Sequence, residues 1–311
     1  MYFRHESMEK ALITGMTGFT GRYAAAALAT AGYEVYGTTH SNKDVLNSRV
    51  VPCDLTDLAA TKAVVVAVRP DVVVHLAAIA FIGHGNVDAM YRTNVVGARN
   101  LLQAIADCGH MPRAVLLSSS SNVYGNTTVD VIDETVSPHP ANDYAVSKLT
   151  MEYMARLWFD QLPITLVRPF NYTGVGQPTS FLVPKIVDHF RRKATTLELG
   201  NLDMFRDYSD VRFVVECYRR LLEPGVAGRT RGEVFNICSG VGHSLNEILS
   251  HMASIAGVFP EIRVNPAFVR ANDVKRLVGS NTKLYAAVGK IQQIPLQETL
   301  EWMYTEPKIS V

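Results

Sequence analysis

The chain has 311 residues, 48% of them hydrophobic, which is enough for a sizeable core in one elaborated domain or two lobes. Lys and Arg number 30 against 29 Asp and Glu, so no net field draws the chain to nucleic acid or to an anionic membrane, and no apolar run is long enough to span a bilayer. The four cysteines, Cys53, Cys108, Cys217 and Cys238, form no C-x-x-C pair, which fits reduced thiols and a cytoplasmic location. No His or Cys cluster has metal-ligand spacing, so no metal is expected.

After a charged N-terminal stretch that reads as a frayed end, residues 10–14 form an apolar run. It stops at Gly15-Met16-Thr17-Gly18-Phe19-Thr20-Gly21, and an alanine-rich helix is expected over 22–30. Strand, glycine loop and helix in this order let the backbone approach a pyrophosphate, which would sit on the free N–H groups of the helix start. A second strand is expected over 32–37, a third over 50–53, a helix over 58–68 and a strand over 72–78, apolar on both faces as in a sheet covered on both sides. A helix over 93–108 stopping at Gly109 and a strand over 114–117 before Ser118-Ser119-Ser120-Ser121 complete the alternation.

Tyr144-Ala145-Val146-Ser147-Lys148 places a phenol and an ammonium four residues apart on one helix face, with Tyr153, Leu157 and Trp158 further along available for packing. A free phenol titrates near 10, so proton exchange near neutrality needs an adjacent positive charge, and Lys148 is placed to supply it. Strands follow over 164–167, 197–200 and 234–237, with helices over 181–192 and 211–222, and Ser244-Leu245-Asn246-Glu247 has the spacing of a capping box. The fold expected is α/β, a Rossmann-type doubly wound parallel sheet with a smaller C-terminal α/β substrate-binding lobe. The boundaries expected are 1–168 with about 203–238 for the first domain, and 169–202 with 239–311 for the second.

Gly15-x-x-Gly18-x-x-Gly21, Asp54-Leu55, His75-Leu76-Ala77-Ala78, Asn94, Ser118 to Ser120 and Tyr144-x-x-x-Lys148 occur in register along the N-terminal half. Together they resemble the extended short-chain dehydrogenase/reductase family. The resemblance implies a nicotinamide cofactor, with Asp54 on the adenine amine, Ala77 and Ala78 beside phosphates and ribose, and Lys148 on the nicotinamide ribose. Ser120 and Tyr144 would grip the reacting oxygen. The implied cofactor-binding set also takes in Thr17, Phe19, Thr20, Arg22, His40, Leu55, Leu76, Asn94 and Ser118 with the three glycines. Thr38 to Lys43 contain no carboxylate to repel a ribose phosphate, and Arg22 could attract one, so NADPH is the expected cofactor with NADH as the alternative.

The second half resembles the GDP-mannose-derived branch of that family through Arg168-Pro169-Phe170-Asn171, Gly174-x-Gly176-Gln177, Phe181, Leu199-Gly200-Asn201-Leu202-Asp203 and Arg206-Asp207. Arg270-Ala271-Asn272-Asp273-Val274 is similar to its Arg-Pro-x-Glu-Val stretch, with Pro replaced and Glu shortened to Asp. By that resemblance Asn171 and Lys185 face the substrate, Asn201 lies near the base, Arg206 supports the diphosphate, and Arg270 and Asp273 hold diphosphate and ribose. Sugar 4,6-dehydratases of the family place a Glu base where this chain has Asn122, and an amide removes no proton. Asn122 is therefore read as a substrate contact or packing residue.

The implied activity is reduction of the 4-keto group of GDP-4-keto-6-deoxy-D-mannose to give GDP-D-rhamnose. The alternatives are a nucleotide-sugar 4-epimerase, a reductase of a related 4-keto sugar with a 6-deoxy-heptose or talose product, and a non-catalytic dinucleotide-sensing module. A homodimer through the helices that begin near Thr93 and Tyr144 is implied as well. His84 and His139 are further loop residues that could meet substrate.

Overall fold

The computed structural model describes residues 8–41, 48–80, 85–269 and 274–306. The strands are β1 (Lys10–Thr14), β2 (Glu34–Thr39), β3 (Val50–Pro52), β4 (Val72–His75), β5 (Ala114–Ser118), β6 (Ile164–Pro169), β7 (Asn171–Thr173), β8 (Thr196–Leu199), β9 (Phe205–Asp210), β10 (Val234–Ile237), β11 (Gly242–Ser244), β12 (Glu261–Val264) and β13 (Arg276–Leu277). Seven of them form the main sheet in the order β10-β6-β5-β4-β1-β2-β3, with β1 to β6 paired in parallel. The order reverses between β1 and β4, the kind of switch point at which open α/β sheets bind ligands beyond their strand ends.

The chain divides into two compact units. The first takes the chain up to Ser119, then Val146–Val167 and Val215–Val234; the second takes Ser120–Ala145, Arg168–Val214 and the chain from Phe235 onward.

In the first unit lie helices α1 (Phe19–Thr30), α2 (Leu58–Val68), α3 (Val87–Tyr91) and α4 (Ala98–Asp107), together with most of α5 (Asp143–Arg156). Leu12, Val73, Val115 and Leu117 of the sheet pack against Leu101, Leu102 and Ile105 of α4 and Met151 and Ala155 of α5. Each such buried aliphatic side chain contributes about 1.5–3 kcal/mol, which is why the valine-rich α2 holds despite modest helix propensity. Its start is fixed by Asp57, whose Oδ1 accepts from the N–H groups of Ala59 and Ala60.

The helix expected from 93 begins earlier, at Val87, because the Asn86 side chain caps it by accepting from Ala89 N–H. It then passes through a π-helical turn, Arg92–Gly97, before α4. The strand expected to run to Ala78 ends at His75, and α1 starts at Phe19 rather than 22. Trp158 packs on the core as expected, whereas Tyr153 of α5 and Leu157 just beyond it are 60% and 78% exposed, forming with Val146 an exposed apolar stripe.

The second unit holds α6 (Leu182–Arg191) and the first turn of α7 (Val211–Leu221), the rest of which belongs to the first unit with α8 (Pro224–Thr230), and then α9 (Leu245–Ala256), α10 (Thr282–Val288) and α11 (Leu296–Thr305). Its core joins Val183, Ile186 and Phe190 of α6 with Ile248, Leu249 and Met252 of α9 and Leu300 and Met303 of α11. The expected capping box is present: Ser244 Oγ accepts from Glu247 N–H at 3.1 Å, and Glu247 Oε2 accepts from Ser244 N–H at 2.7 Å. Strands β11, β9 and β13 form a second sheet, and β7 pairs with β9, bringing Asn171 into register with Tyr208.

Candidate functional site

In the first unit the glycine loop is shaped by backbone contact. Gly15 has φ +71°, and a Cβ there would lie 2.9 Å from the Ala77 backbone; at Gly21 it would lie 2.3 Å from the Gly15 carbonyl. Gly18 N–H closes the loop on Gly15 O at 3.1 Å and serves as the N-cap of α1 without a side-chain hydrogen bond. The helix therefore keeps its positive end for an anion lying close against bare backbone, a donor set that suits a pyrophosphate. Thr17 Oγ1 donates to Thr39 Oγ1 at 3.0 Å, tying the loop to the end of β2, next to the exposed His40. Arg22 Nε donates to the Thr17 carbonyl at 2.8 Å, which folds its guanidinium back beside the loop. Phe19 and Tyr23 meet edge to face along α1, whose first turn also carries Thr20.

Asp54 Oδ1 accepts from the N–H of Thr56 at 2.9 Å and from its hydroxyl at 2.8 Å, and these bonds hold the carboxyl below its ordinary range. Leu55 is buried, and its carbonyl accepts from Asn100 Nδ2 at 2.9 Å. Asn100 escaped the sequence reading; its signal was a polar residue on the otherwise apolar face of α4. At the end of β4, Leu76 N–H reaches Thr14 O and Ala77 N–H reaches Thr14 Oγ1, followed by Ala78.

Asn94 behaves differently from a cofactor ligand. Its Oδ1 accepts from Ile79 N–H at 2.9 Å, and its Nδ2 donates to Ile79 O at 3.2 Å and to Ser147 Oγ at 2.9 Å. Both Nδ2 hydrogens are thus committed to protein atoms, so it ties the end of β4 to α5. Lys148 is buried, with its Nζ donating to the Ser118 carbonyl at 2.8 Å, so this group of Ser118 faces the lysine. Burial brings the ammonium down to about 8, with Glu152 acting in the opposite sense.

In the second unit Ser120 caps the 3₁₀ turn Ser121–Tyr124. Its Oγ accepts from Asn122 N–H at 3.2 Å and from Asn122 Nδ2 at 3.1 Å. With both lone pairs occupied, the hydroxyl is left as a donor. Asn122 accordingly faces Ser120. The turn is backed by Tyr124, whose hydroxyl donates to Asn236 Oδ1 at 2.8 Å and whose ring lies 4.8 Å from the Arg168 guanidinium.

Tyr144 is buried and hydrogen-bonded with Ser120. Burial raises the phenol well above its ordinary value, the Ser120 bond opposes the rise, and Tyr172 adds to it. Burial thus favours the protonated phenol, the form that can act as an acid. Lys148 follows one turn later on the same helix.

Of the residues read as substrate contacts, Asn171 opens β7, Lys185 lies on α6, Asn201 follows β8 and Arg206 lies on β9. Lys185 donates to the Glu198 carbonyl at 2.7 Å and sits 4.1 Å from the centre of the Phe268 ring; burial lowers its pKa against the pull of Glu198. Arg206 is 8% exposed and lines a small hollow with Met204, Tyr208 and His243. Arg270, Asp273 and His84 lie outside the described residues. Among the described residues no group of His, Cys, Asp and Glu is arranged to hold a metal, and the four cysteines form no disulfide.

A doubly wound sheet with a phosphate-type glycine loop, a Ser-capped turn and a Tyr-x-x-x-Lys helix defines an extended short-chain dehydrogenase/reductase, an NAD(P)-dependent oxidoreductase. The profile of the GDP-mannose 4,6 dehydratase family matches residues 12–303, and the chain belongs to that family. The GDP-6-deoxy-D-talose 4-dehydrogenase of Aggregatibacter actinomycetemcomitans is 34% identical over 95% of this chain and 97% of its own. The GDP-6-deoxy-D-mannose reductase of Pseudomonas aeruginosa is 33% identical over 94% of this chain and 95% of its own. Among solved structures, an epimerase candidate from Burkholderia cenocepacia J2315 is 49% identical, with a TM-score of 0.88 over 95% of this chain and 97% of that one. RMD from Pseudomonas aeruginosa, solved with NADPH, is 30% identical, with a TM-score of 0.83 over 96% of this chain and 97% of that one.

Proposed function

We propose that this chain reduces the 4-keto group of GDP-4-keto-6-deoxy-D-mannose to give GDP-D-rhamnose, using NADPH in preference to NADH. The observation that carries this reading is Asn122. An amide bonded to Ser120 stands where elimination would need a base, and what remains is a hydroxyl donor beside a protonated phenol.

In this reading the glycine loop and α1 hold the cofactor's pyrophosphate, Asp54 and Leu55 border the adenine, and Ala77 and Ala78 border the ribose. The bound nicotinamide supplies the hydride. Ser120 Oγ–H polarises the keto oxygen, Tyr144 Oη delivers the proton as that oxygen becomes an alkoxide, and Lys148 provides the positive charge that tolerates the phenolate left behind. Arg22 beside the loop and the lack of a carboxylate over Thr38–Ser41 support the NADPH preference. Arg206, with Arg270 of the same resemblance, would take the diphosphate, since guanidinium forks match phosphate oxygens.

Incubation with NADPH and the 4-keto product of GDP-mannose dehydration tests the reading, with the product sugar identified by NMR. Formation of GDP-D-rhamnose with one NADPH consumed per sugar is the expected result. The talose epimer would keep the chemistry and change the product, an outcome to which the relative of A. actinomycetemcomitans lends weight. Protein purified with stoichiometric NAD that epimerises a GDP-sugar without added reductant would overturn the reductase, the reading that the B. cenocepacia neighbour favours.

The exposed stripe of Val146, Tyr153 and Leu157 supports a homodimer, which sedimentation at micromolar concentration would reveal. No helix among the described residues is long and apolar enough to cross a membrane, and a cytoplasmic location fits cysteines that form no disulfide.

A further inference from the structure

Lys148 is only 3% exposed, and its Nζ rests on the neutral carbonyl of Ser118. A carbonyl dipole offsets little of the cost of burying an ammonium, so the charged form needs a counter-charge within reach. His75 on β4 does not repel it as a second cation: its Nδ1 lies 2.7 Å from Thr14 Oγ1, and burial, assisted by Lys148, brings the ring down to about 3, leaving it neutral. On α5 itself, one turn beyond Lys148, Glu152 is 1% exposed. Its Oε1 accepts from Ser119 Oγ at 2.5 Å. A carboxylate this deeply buried would be costly without a cation to answer it, and Glu152 acts on Lys148 in the direction that favours the ammonium.

We propose that Glu152 is a positioning residue that keeps the buried Lys148 ammonium charged through a carboxylate one helical turn away, which Ser119 fixes in place. This rests on Lys148 being the cation of the hydride-transfer site. Three consecutive serines then answer three residues of α5 spaced by four: the Ser118 carbonyl holds Lys148, the Ser119 hydroxyl holds Glu152, and the Ser120 hydroxyl bonds Tyr144.

The test is a titration of Lys148 in cofactor-free protein carrying ¹⁵N-labelled lysine, its Nζ resonance assigned by its loss in Lys148→Arg. In Glu152→Gln the midpoint should fall by about one pH unit, whereas Glu152→Asp, which keeps the charge, should stay near the native midpoint. The alkaline limb of kcat with NADPH should move by the same amount in Glu152→Gln while KM for the sugar holds. Glu152→Met, of similar volume and without a buried polar group, carries the same expectation if the Gln variant does not fold. An unmoved Lys148 midpoint, or failure of both neutral variants to fold, overturns the proposal. A lowered midpoint in a protein that reduces no keto sugar would uphold the role of Glu152 and remove the reductase reading.

Discussion

Asn94 donates from Nδ2 to Ser147 Oγ across 2.9 Å, and Ser147 is the residue that precedes Lys148. Because the same carboxamide also holds both the N–H and the carbonyl of Ile79, one side chain fixes the chain leaving β4 and the turn of α5 that carries the lysine.

Asn94→Ala would leave three polar groups without this partner, two of them on backbone. At the usual cost of unsatisfied buried groups, the variant should lose about 3 kcal/mol of stability, read as a lower urea midpoint. A midpoint equal to that of the native protein would show that water replaces the carboxamide and that the clamp is dispensable.

His75 gives the protein an acid limit. Its folded value near 3 is depressed from the ordinary 6.5, mainly by burial. The unfolded chain therefore takes up the proton first, and stability falls as pH drops from about 6.5 towards 3, by up to about 5 kcal/mol. Unfolding free energies measured across that range should show the slope, and His75→Gln, which keeps an acceptor for Thr14, should flatten it. An unchanged slope in the variant would assign the acid sensitivity to carboxyl groups instead.

The alternation of strands and helices was legible because the run Val72-Val73-Val74 is buried on both faces and because Ser244 and Glu247 announce a helix start by their spacing. The parts that were not legible follow one pattern. Asn100 and Glu152 are polar residues on helices, which ordinarily face water, and only the packed structure shows them turned inward on a carbonyl and a hydroxyl. The π turn at Arg92–Gly97 leaves no mark in hydrophobic periodicity. The motifs assign Asn94 to the cofactor and leave Asn122 open between substrate contact and packing, since a sequence motif does not show which of its polar groups are already bonded within the protein.

The glycine loop offers a graded test of cofactor binding. A Cβ at Gly21 would enter the space of the Gly15 and Met16 carbonyls at 2.3 and 2.6 Å, where only backbone movement gives relief, whereas at Gly18 the nearest atom is 3.2 Å away. Gly21→Ala should therefore abolish NADPH binding measured by fluorescence titration, and Gly18→Ala should weaken it by a smaller factor. Equal affinities for the two variants would mean that the loop does not contact the cofactor through its backbone.

Asn122 permits the sharpest test of the proposed proton chemistry, because Asp is its isostere. In the native protein the Asn122 N–H and Nδ2 occupy the lone pairs of Ser120 Oγ, so the bond to Tyr144 is made through the hydroxyl proton, which a bound keto oxygen would take over. A carboxylate at 122 would accept that proton and turn the hydroxyl away from the substrate. Asn122→Asp should then lower kcat by about 100-fold, the usual loss on removing one donor to a developing oxyanion, with KM little changed. Activity should recover as the pH falls through the pKa of the new carboxyl, since its neutral form can again donate to Ser120. Undiminished kcat at neutral pH in a folded variant would show that Ser120 does not polarise the ketone, and Tyr144 would remain as the sole donor to the reacting oxygen.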